Sequence, residues 1–262
     1  MRGERDRALV AAIYGKVSKH PRYGYRMVAG ELRADGWMVN AKRVYRLWRR
    51  EGLKVARKAR KQRAKGGWAN GVKNRPSRHK DDVWAMDFIH DSTATGSPLK
   101  MLVIEDEFTR ECLALEVGGS GFNGERVAEV LTELFVIRGV PKGIRSDNGK
   151  EFTGRSVSGR LQAAGVEALP VEAGCPWENG VVESLNSILR DEMLNTEVFR
   201  TVKAGRDMAM AWRLEYNHRR PHGALGYVAP AAYAARCPSA SGSAALRPTP
   251  TGSRNDNTIV LS

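Results

Sequence analysis

Three carboxylates in this chain have types and positions that could do chemistry. Asp87 interrupts the apolar run Val83-Trp84-Ala85-Met86-Asp87-Phe88-Ile89. Burying an acid in such a run is costly unless it has a partner. Asp147 ends the short run Gly143-Ile144-Arg145-Ser146 and precedes the turn pair Asn148-Gly149. Glu183 lies on a helix that Asn179 and Gly180 open, with 35 residues between it and Asp147. Two strands and a helix can bring three such acids together beside a sheet edge. Hard oxygen donors with no His or Cys close by suit Mg²⁺, or Mn²⁺ as its substitute, and not Zn²⁺. Two such ions would clamp a phosphodiester for in-line attack, one serving the attacking water or 3′-hydroxyl and the other the leaving oxygen. Taken singly, each acid has an ordinary role: Asp147 as a turn former, Glu183 as a surface helix residue, Asp87 as a buried hydrogen-bonded acid. Only the set points to catalysis.

The surrounding pattern predicts the elements that would hold them. Residues 83–89, 101–104, 112–117, 143–147 and 166–171 read as strands. Residues 105–109 read as a turn. Residues 124–138 form a helix with Val127, Val130, Leu131, Leu134 and Phe135 on one face. Further helices are expected at 155–164, 178–195 and 201–217. On the helix that carries Glu183, Val181, Leu185 and Ile188 are the expected core-facing stripe. The order of three strands, helix, strand, helix, strand and two helices predicts an α/β fold, a mixed sheet with helices on both faces.

The first third is different. Helices are expected at 4–18, 25–35 and 41–51, with Asn40 as a good N-cap for the third and Gly52 as its stop. Val44, Leu47 and Trp48 face inward, while Lys42, Arg43, Arg46, Arg49 and Arg50 cover the rest. Two helices joined by a short Gly turn, the second strongly basic, form a helix-turn-helix signature. The bland alternative is an amphipathic hairpin with a solvated Arg face. From Lys54 to Lys65, seven of twelve residues are Lys or Arg. That stretch reads as a basic linker that follows phosphates without reading sequence. The divisions expected are 1–56 for DNA binding, 57–80 for the linker, 81–236 for the core, and 237–262 for a disordered, Ser/Gly/Pro/Thr-rich tail.

Charge follows these divisions. The net charge of the 262 residues is +14. Residues 1–82 hold 24 Lys/Arg and 7 Asp/Glu, while residues 83–262 hold 19 and 22. The whole excess lies in the first third, the footprint of a polyanion partner. Hydrophobic residues make up 42% of the chain, enough for a sizeable core, which excludes a wholly disordered protein. No apolar run is long enough to span a membrane, and the charged N-terminus does not resemble a secretory signal. Cys112, Cys175 and Cys237 are odd in number and far apart, so neither a disulfide framework nor a zinc motif is expected. Together these features predict a cytoplasmic, nucleoid-associated protein.

Several stretches together resemble the DDE transposases of the bacterial insertion-sequence family numbered three, within the retroviral-integrase superfamily. They are His20-Pro21-Arg22-Tyr23-Gly24-Tyr25-Arg26, Asn40 to Leu47, Trp84 to Phe88, Asp106 to Glu111, Ser146 to Phe152, Gly174 to Gly180 with Glu183-Ser184, and Tyr216 to His222. The match runs over roughly residues 18–233. It implies an RNase H-like core with an N-terminal all-helical helix-turn-helix domain. It also implies that Asp87, Asp147 and Glu183 ligate two Mg²⁺ ions in DNA cleavage and strand transfer. Arg190, seven residues beyond Glu183, would share a face with Glu183 and Asn186 and meet the transposon end. Glu192 is the surface pair that would otherwise occupy Arg190. His222 is expected to pack at a helix end or to touch DNA.

The sequence departs from the family pattern at Ala173 (often Pro), Cys175 (often Ser) and Ser187-Ile188 (often Gly-Lys). The last departure removes a lysine that would contact DNA. The implied partners are double-stranded DNA, both element terminal repeats and target, and further copies of the chain in a homo-oligomer on DNA. The chain looks like the downstream frame of such an element, whose upstream frame supplies a second helix-turn-helix and a zipper, fused or as a separate partner. Two other readings stay open at this point: a nuclease that hydrolyses without joining, and a non-catalytic DNA-binding regulator.

Overall fold

In strand β1 (Val83–Ser92), alternation decides which way the acid points. Trp84 and Met86 enter the apolar cluster on one face of the sheet, with Phe88 packed against it. Ala85 and Ile89 enter the cluster on the other face. Asp87 therefore points to the second face. In the computed structural model, which describes residues 2–55, 75–171 and 179–238, that face is covered by the helix carrying Glu183. Most of the expected linker and nearly all of the expected tail lie outside the described residues, as do Ala173 and Cys175.

β1 pairs antiparallel with β2 (Pro98–Asp106), and β2 antiparallel with β3 (Cys112–Gly118). On the other side β4 (Gly143–Ser146) runs parallel to β1, and β5 (Glu167–Pro170) parallel to β4. The order β3-β2-β1-β4-β5 makes an RNase H-like mixed sheet. Helices α4 (Gly124–Arg138), α5 (Lys150–Thr153) and α6 (Arg155–Ala164) supply Val127, Leu131, Phe152, Val157 and Leu161 to the first face. Helices α7 (Gly180–Leu189) and α8 (Val202–His218) cover the second. A 3₁₀ turn (Gly223–Leu225) and the short helix α9 (Pro230–Ala234) close this part of the chain.

Three expectations need correction. First, the turn expected to begin at Glu105 begins later. β2 runs on through Asp106, and Glu105 and Asp106 are both buried. Asp106 is tolerated there because it accepts hydrogen bonds from the backbone N–H groups of Asp81, Phe108 and Thr109 at 2.7–2.9 Å. Burial raises the Glu105 carboxyl well above its ordinary range.

Second, the buried stripe of α7 is Val182, Leu185 and Leu189. Val181 and Ile188 flank it. Third, the expected continuous helix to 195 passes at Arg190–Leu194 into a π-helical turn. The widened turn lets the consecutive residues Met193 and Leu194 both reach the core.

The N-terminal helices α1 (Arg2–Lys19), α2 (Tyr25–Ala34) and α3 (Ala41–Arg50) enclose their own core of Leu9, Ile13, Val28, Leu32, Val44, Leu47 and Trp48. The Asn40 side chain accepts from the backbone N–H of Arg43 at 2.8 Å, as its N-cap position predicts. The helical unit rests on the sheet domain through the closing segment Arg220-Pro221-His222. Gly30 makes that approach possible, since a Cβ there would stand 2.8 Å from the Tyr227 carbonyl and 2.9 Å from Pro221. Arg220 is buried and forks onto Glu192 at 2.8–3.0 Å, with its guanidinium over the rings of Tyr23 and Tyr216.

Candidate active site

Asp87 is the half-buried member of the three acids, and its carboxylate is held at both oxygens. Oδ1 accepts from the backbone N–H of Phe88 at 2.8 Å, and Oδ2 accepts from the side-chain amide of Asn186 at 2.7 Å. Burial pushes the Asp87 carboxyl up to about 6, and the nearby charges of Asp147 and Glu183 push the same way. The two hydrogen bonds pull in the opposite direction. Asp147 at the end of β4 and Glu183 on α7 are thus near enough to Asp87 on β1 for their charges to act on it. Among the described residues, their oxygens do not all lie within 4.8 Å of one another.

Asp147 and Glu183 are both exposed. A tight turn shapes the Asp147 loop, with the Gly149 N–H donating to Asp147 Oδ1 at 3.0 Å. A Cβ on Gly149 would lie 2.9 Å from that same oxygen, so a side chain there would push the exposed Asp147 carboxylate aside, although the backbone angles would admit one. Two further contacts fix the loop. Asn148 donates to the Val171 carbonyl at 3.0 Å. Phe152 stacks on Phe88 with centroids 4.9 Å apart. Phe88 follows Asp87 directly, so this stack ties the two aspartate segments to each other. Lys100 lies 4.2 Å from the Phe88 ring centroid and pairs with Glu151 at 2.5 Å, which neutralises the acid nearest this loop.

Asn186 has a role the sequence did not give it. It was expected on the DNA-facing side, but its amide is committed to Asp87. Residues i and i+3 lie side by side on a helix, which was the available signal. Arg190 is exposed at the start of the π turn. Glu192, the acid that might have occupied it, is taken by Arg220. His222 packs edge-on against Tyr216, and burial lowers its pKa to about 4, so it is a neutral packing residue.

On α3 the cations divide. Lys42, Arg46, Arg49 and Arg50 are exposed. Arg43 is half-buried and binds Asp6 of α1 at 2.8 Å. Arg46 reaches the same acid at 3.8 Å, and Arg50 pairs with Glu51 at 3.0 Å.

Comparison with known proteins matches three family models to this chain. Residues 4–62 match the family model of an HTH-like domain. Residues 77–176 and 164–230 match two models, each described as an integrase core domain. The chain is 36% identical over 231 residues to a 31.7 kDa protein of insertion element IS407 from Burkholderia multivorans, covering 88% of this chain and 82% of that one. It is 36% identical over 228 residues to a 39.2 kDa protein of insertion element IS476 from Xanthomonas euvesicatoria, covering 87% of this chain but only 65% of that protein's length. It is also similar to transposase InsD of insertion element IS2D from Escherichia coli, 28% identical over 240 residues, 87% of this chain and 78% of that one.

Proposed function

The chain belongs to the integrase-core transposases of bacterial insertion elements, and from that membership we propose that it binds the ends of a mobile element, cleaves there and joins the freed strand to a second site. The exposed 3′-hydroxyl attacks phosphorus of another phosphodiester. One P–O bond forms, one P–O bond to the leaving 3′-oxygen breaks, and the proton of the attacking hydroxyl is lost as the leaving oxygen gains one. No net hydrolysis occurs in the joining step.

Asp87, Asp147 and Glu183 are the residues we assign to this chemistry. The all-oxygen donor set fits Mg²⁺, or Mn²⁺ in its place. Such ions, two by this reading, would offset charge on the reacting phosphate and acidify the attacking hydroxyl. Asn186 and the Phe88 N–H hold the Asp87 carboxylate in one orientation. Arg190 lies on the glutamate's helix, where it would take a backbone phosphate of the element end. Residues 1–56 would engage terminal-repeat DNA through Lys42, Arg46, Arg49 and Arg50. Arg43 contributes charge while fastened to α1. Residues 57–80 would tether this unit to the core at 81–236. Two ends must be held at once, so the working form on DNA would be at least two copies, acting at the nucleoid.

The observation that carries this reading is the shared electrostatic neighbourhood of the three acids on an RNase H-like sheet. The test uses a branched oligonucleotide that mimics a strand-transfer product, supplied with Mn²⁺. Wild-type chain should resolve the branch into a rejoined strand, and Glu183→Gln should bind the DNA without reaction. Nicked products alone would identify a hydrolase. Joining by Glu183→Gln would remove Glu183 from the site.

A further inference from the structure

A second constellation lies away from the three acids, at the seam between the helical unit and the core. His20 follows α1, Glu31 is on α2, and Glu215 is on α8. One ligand atom from each lies within 4.8 Å of the other two, and among the described residues no other such trio of His, Cys, Asp or Glu occurs. His20 Nε2 stands 3.6 Å from Glu31 Oε1 and 3.6 Å from Glu215 Oε1.

These separations are too long for hydrogen bonds. They match the spacing of about 3.3–3.6 Å between neighbouring ligands of a tetrahedral cation with bonds of about 2.0–2.2 Å. Glu31 is only 4% exposed, and its Oε2 has no hydrogen-bond partner. His20 Nε2 is likewise buried without one. Buried polar atoms are seldom left unsatisfied. Here two of them lie in the same cluster. The imidazole plane is also fixed, stacked on Tyr23 at 4.3 Å with 10° between planes.

We propose that His20, Glu31 and Glu215 form a binding site for a divalent transition-metal cation of the zinc class, with water as the fourth ligand, that clamps the helical unit onto the core. Two ligands come from the helical unit and one from α8, so the ion would bridge them. One nitrogen and two carboxylates form a borderline donor set, unlike the all-oxygen set of the three acids.

The charges facing the cluster permit this. Lys16 is 3.9 Å from Glu31 Oε2 but pairs at 2.7 Å with Asp35, so its charge is already matched. Lys19 binds Glu215 at 2.8 Å, and its side chain is 53% exposed, so it is free to swing into solvent. Arg220, the remaining nearby cation, is held by Glu192.

The test is titration of the metal-stripped full chain with Co²⁺ and with Zn²⁺, read by visible absorption and by metal content after desalting. Wild type, with Mg²⁺ in excess to occupy the three acids, should bind one equivalent with the intense visible bands of four-coordinate Co²⁺, and Zn²⁺ should bleach them. His20→Ala and Glu215→Gln should each weaken binding about tenfold or more, with circular dichroism confirming the fold. Lys19→Ala removes the competing cation and should bind more tightly. Glu183→Gln should bind as wild type does, which separates this site from the three acids whatever their function. The proposal is overturned if the folded wild type shows no visible band, if the band survives His20→Ala and Glu215→Gln, or if Lys19→Ala lowers the melting temperature without tightening the metal. The last result would identify a plain ion-pair junction.

Discussion

Asn186 donates its side-chain amide to Oδ2 of Asp87 at 2.7 Å, joining residues 99 positions apart in the chain. The bond crosses from α7 to β1 and orients the one acid of the three that is partly buried. A hydrogen bond to a charged group contributes about 1.5–3 kcal/mol, or roughly 10- to 100-fold in a rate that depends on it. Asn186→Ala should therefore lower strand joining by about that factor with DNA affinity unchanged. Losing the donor also leaves the Asp87 carboxyl higher, so the acid limb of the pH–rate profile should move to higher pH. A drop in DNA affinity with an unmoved profile would instead make Asn186 a DNA contact.

Asp87 gives a stability prediction whose sign follows from its raised pKa. The ordinary value is 3.8 and the folded value is about 6. The folded chain therefore holds this proton more tightly than the unfolded chain does. The resulting stability is present at low pH and is lost as pH rises from about 4 through about 6. At pH 8, metal-free Asp87→Asn should be more stable than wild type by about 1–2 kcal/mol once solvent screening is allowed for. The difference should vanish near pH 4. Thermal melts across that range check it, and the variant should be inactive throughout.

Gly149 separates positioning from folding. A methyl group at this position would meet Asp147 Oδ1 at 2.9 Å. The carboxylate is exposed and can move aside, so Gly149→Ala should melt within a few degrees of wild type. A reacting group displaced by about 1 Å loses about 100-fold in rate. Single-turnover joining assays should show a loss of that order, and wild-type rates would remove Asp147 from the chemistry.

The cations of α3 are predicted to differ in kind. Arg46→Ala and Arg49→Ala should each reduce the slope of log affinity against log salt by about 0.9, the signature of one phosphate contact. Arg43 is tied to Asp6, whose pKa that bond lowers. Arg43→Ala should lower the melting temperature of the helical unit and change the salt slope less. Fluorescence anisotropy on end-derived DNA over a salt series, with parallel melts, distinguishes the two classes.

Much of this was legible in the chain. Alternation in β1 set the direction of Asp87, and the cap and stripe of α3 set its basic face. The α7 stripe was misread because Val181-Val182-Glu183-Ser184-Leu185-Asn186-Ser187-Ile188-Leu189 contains two overlapping helical patterns. Residues 181, 185 and 188 form one, and 182, 185 and 189 the other. Only contact with the sheet chooses between them. Glu105 and Asp106 were read as turn residues because acids are rare inside strands. The groups that make Asp106 tolerable come from Asp81, Phe108 and Thr109, and the first of these lies 25 residues away. The Arg220–Glu192 fork beneath the helical unit follows no local period, so no periodicity could have revealed it.

The outer strand β3 has one more consequence. Helix α8 reaches over it with Arg206 on the Val117 carbonyl, Arg213 on the Leu113 carbonyl, and Asn217 on both backbone groups of Cys112, all at 2.7–2.9 Å. An open sheet margin would let copies of the chain knit together strand to strand. Here that seam is sewn shut from within the same molecule, so copies cannot extend the sheet across β3 without first lifting α8. Among the described residues, contact between copies is then left to helical faces and to the short far margin at β5.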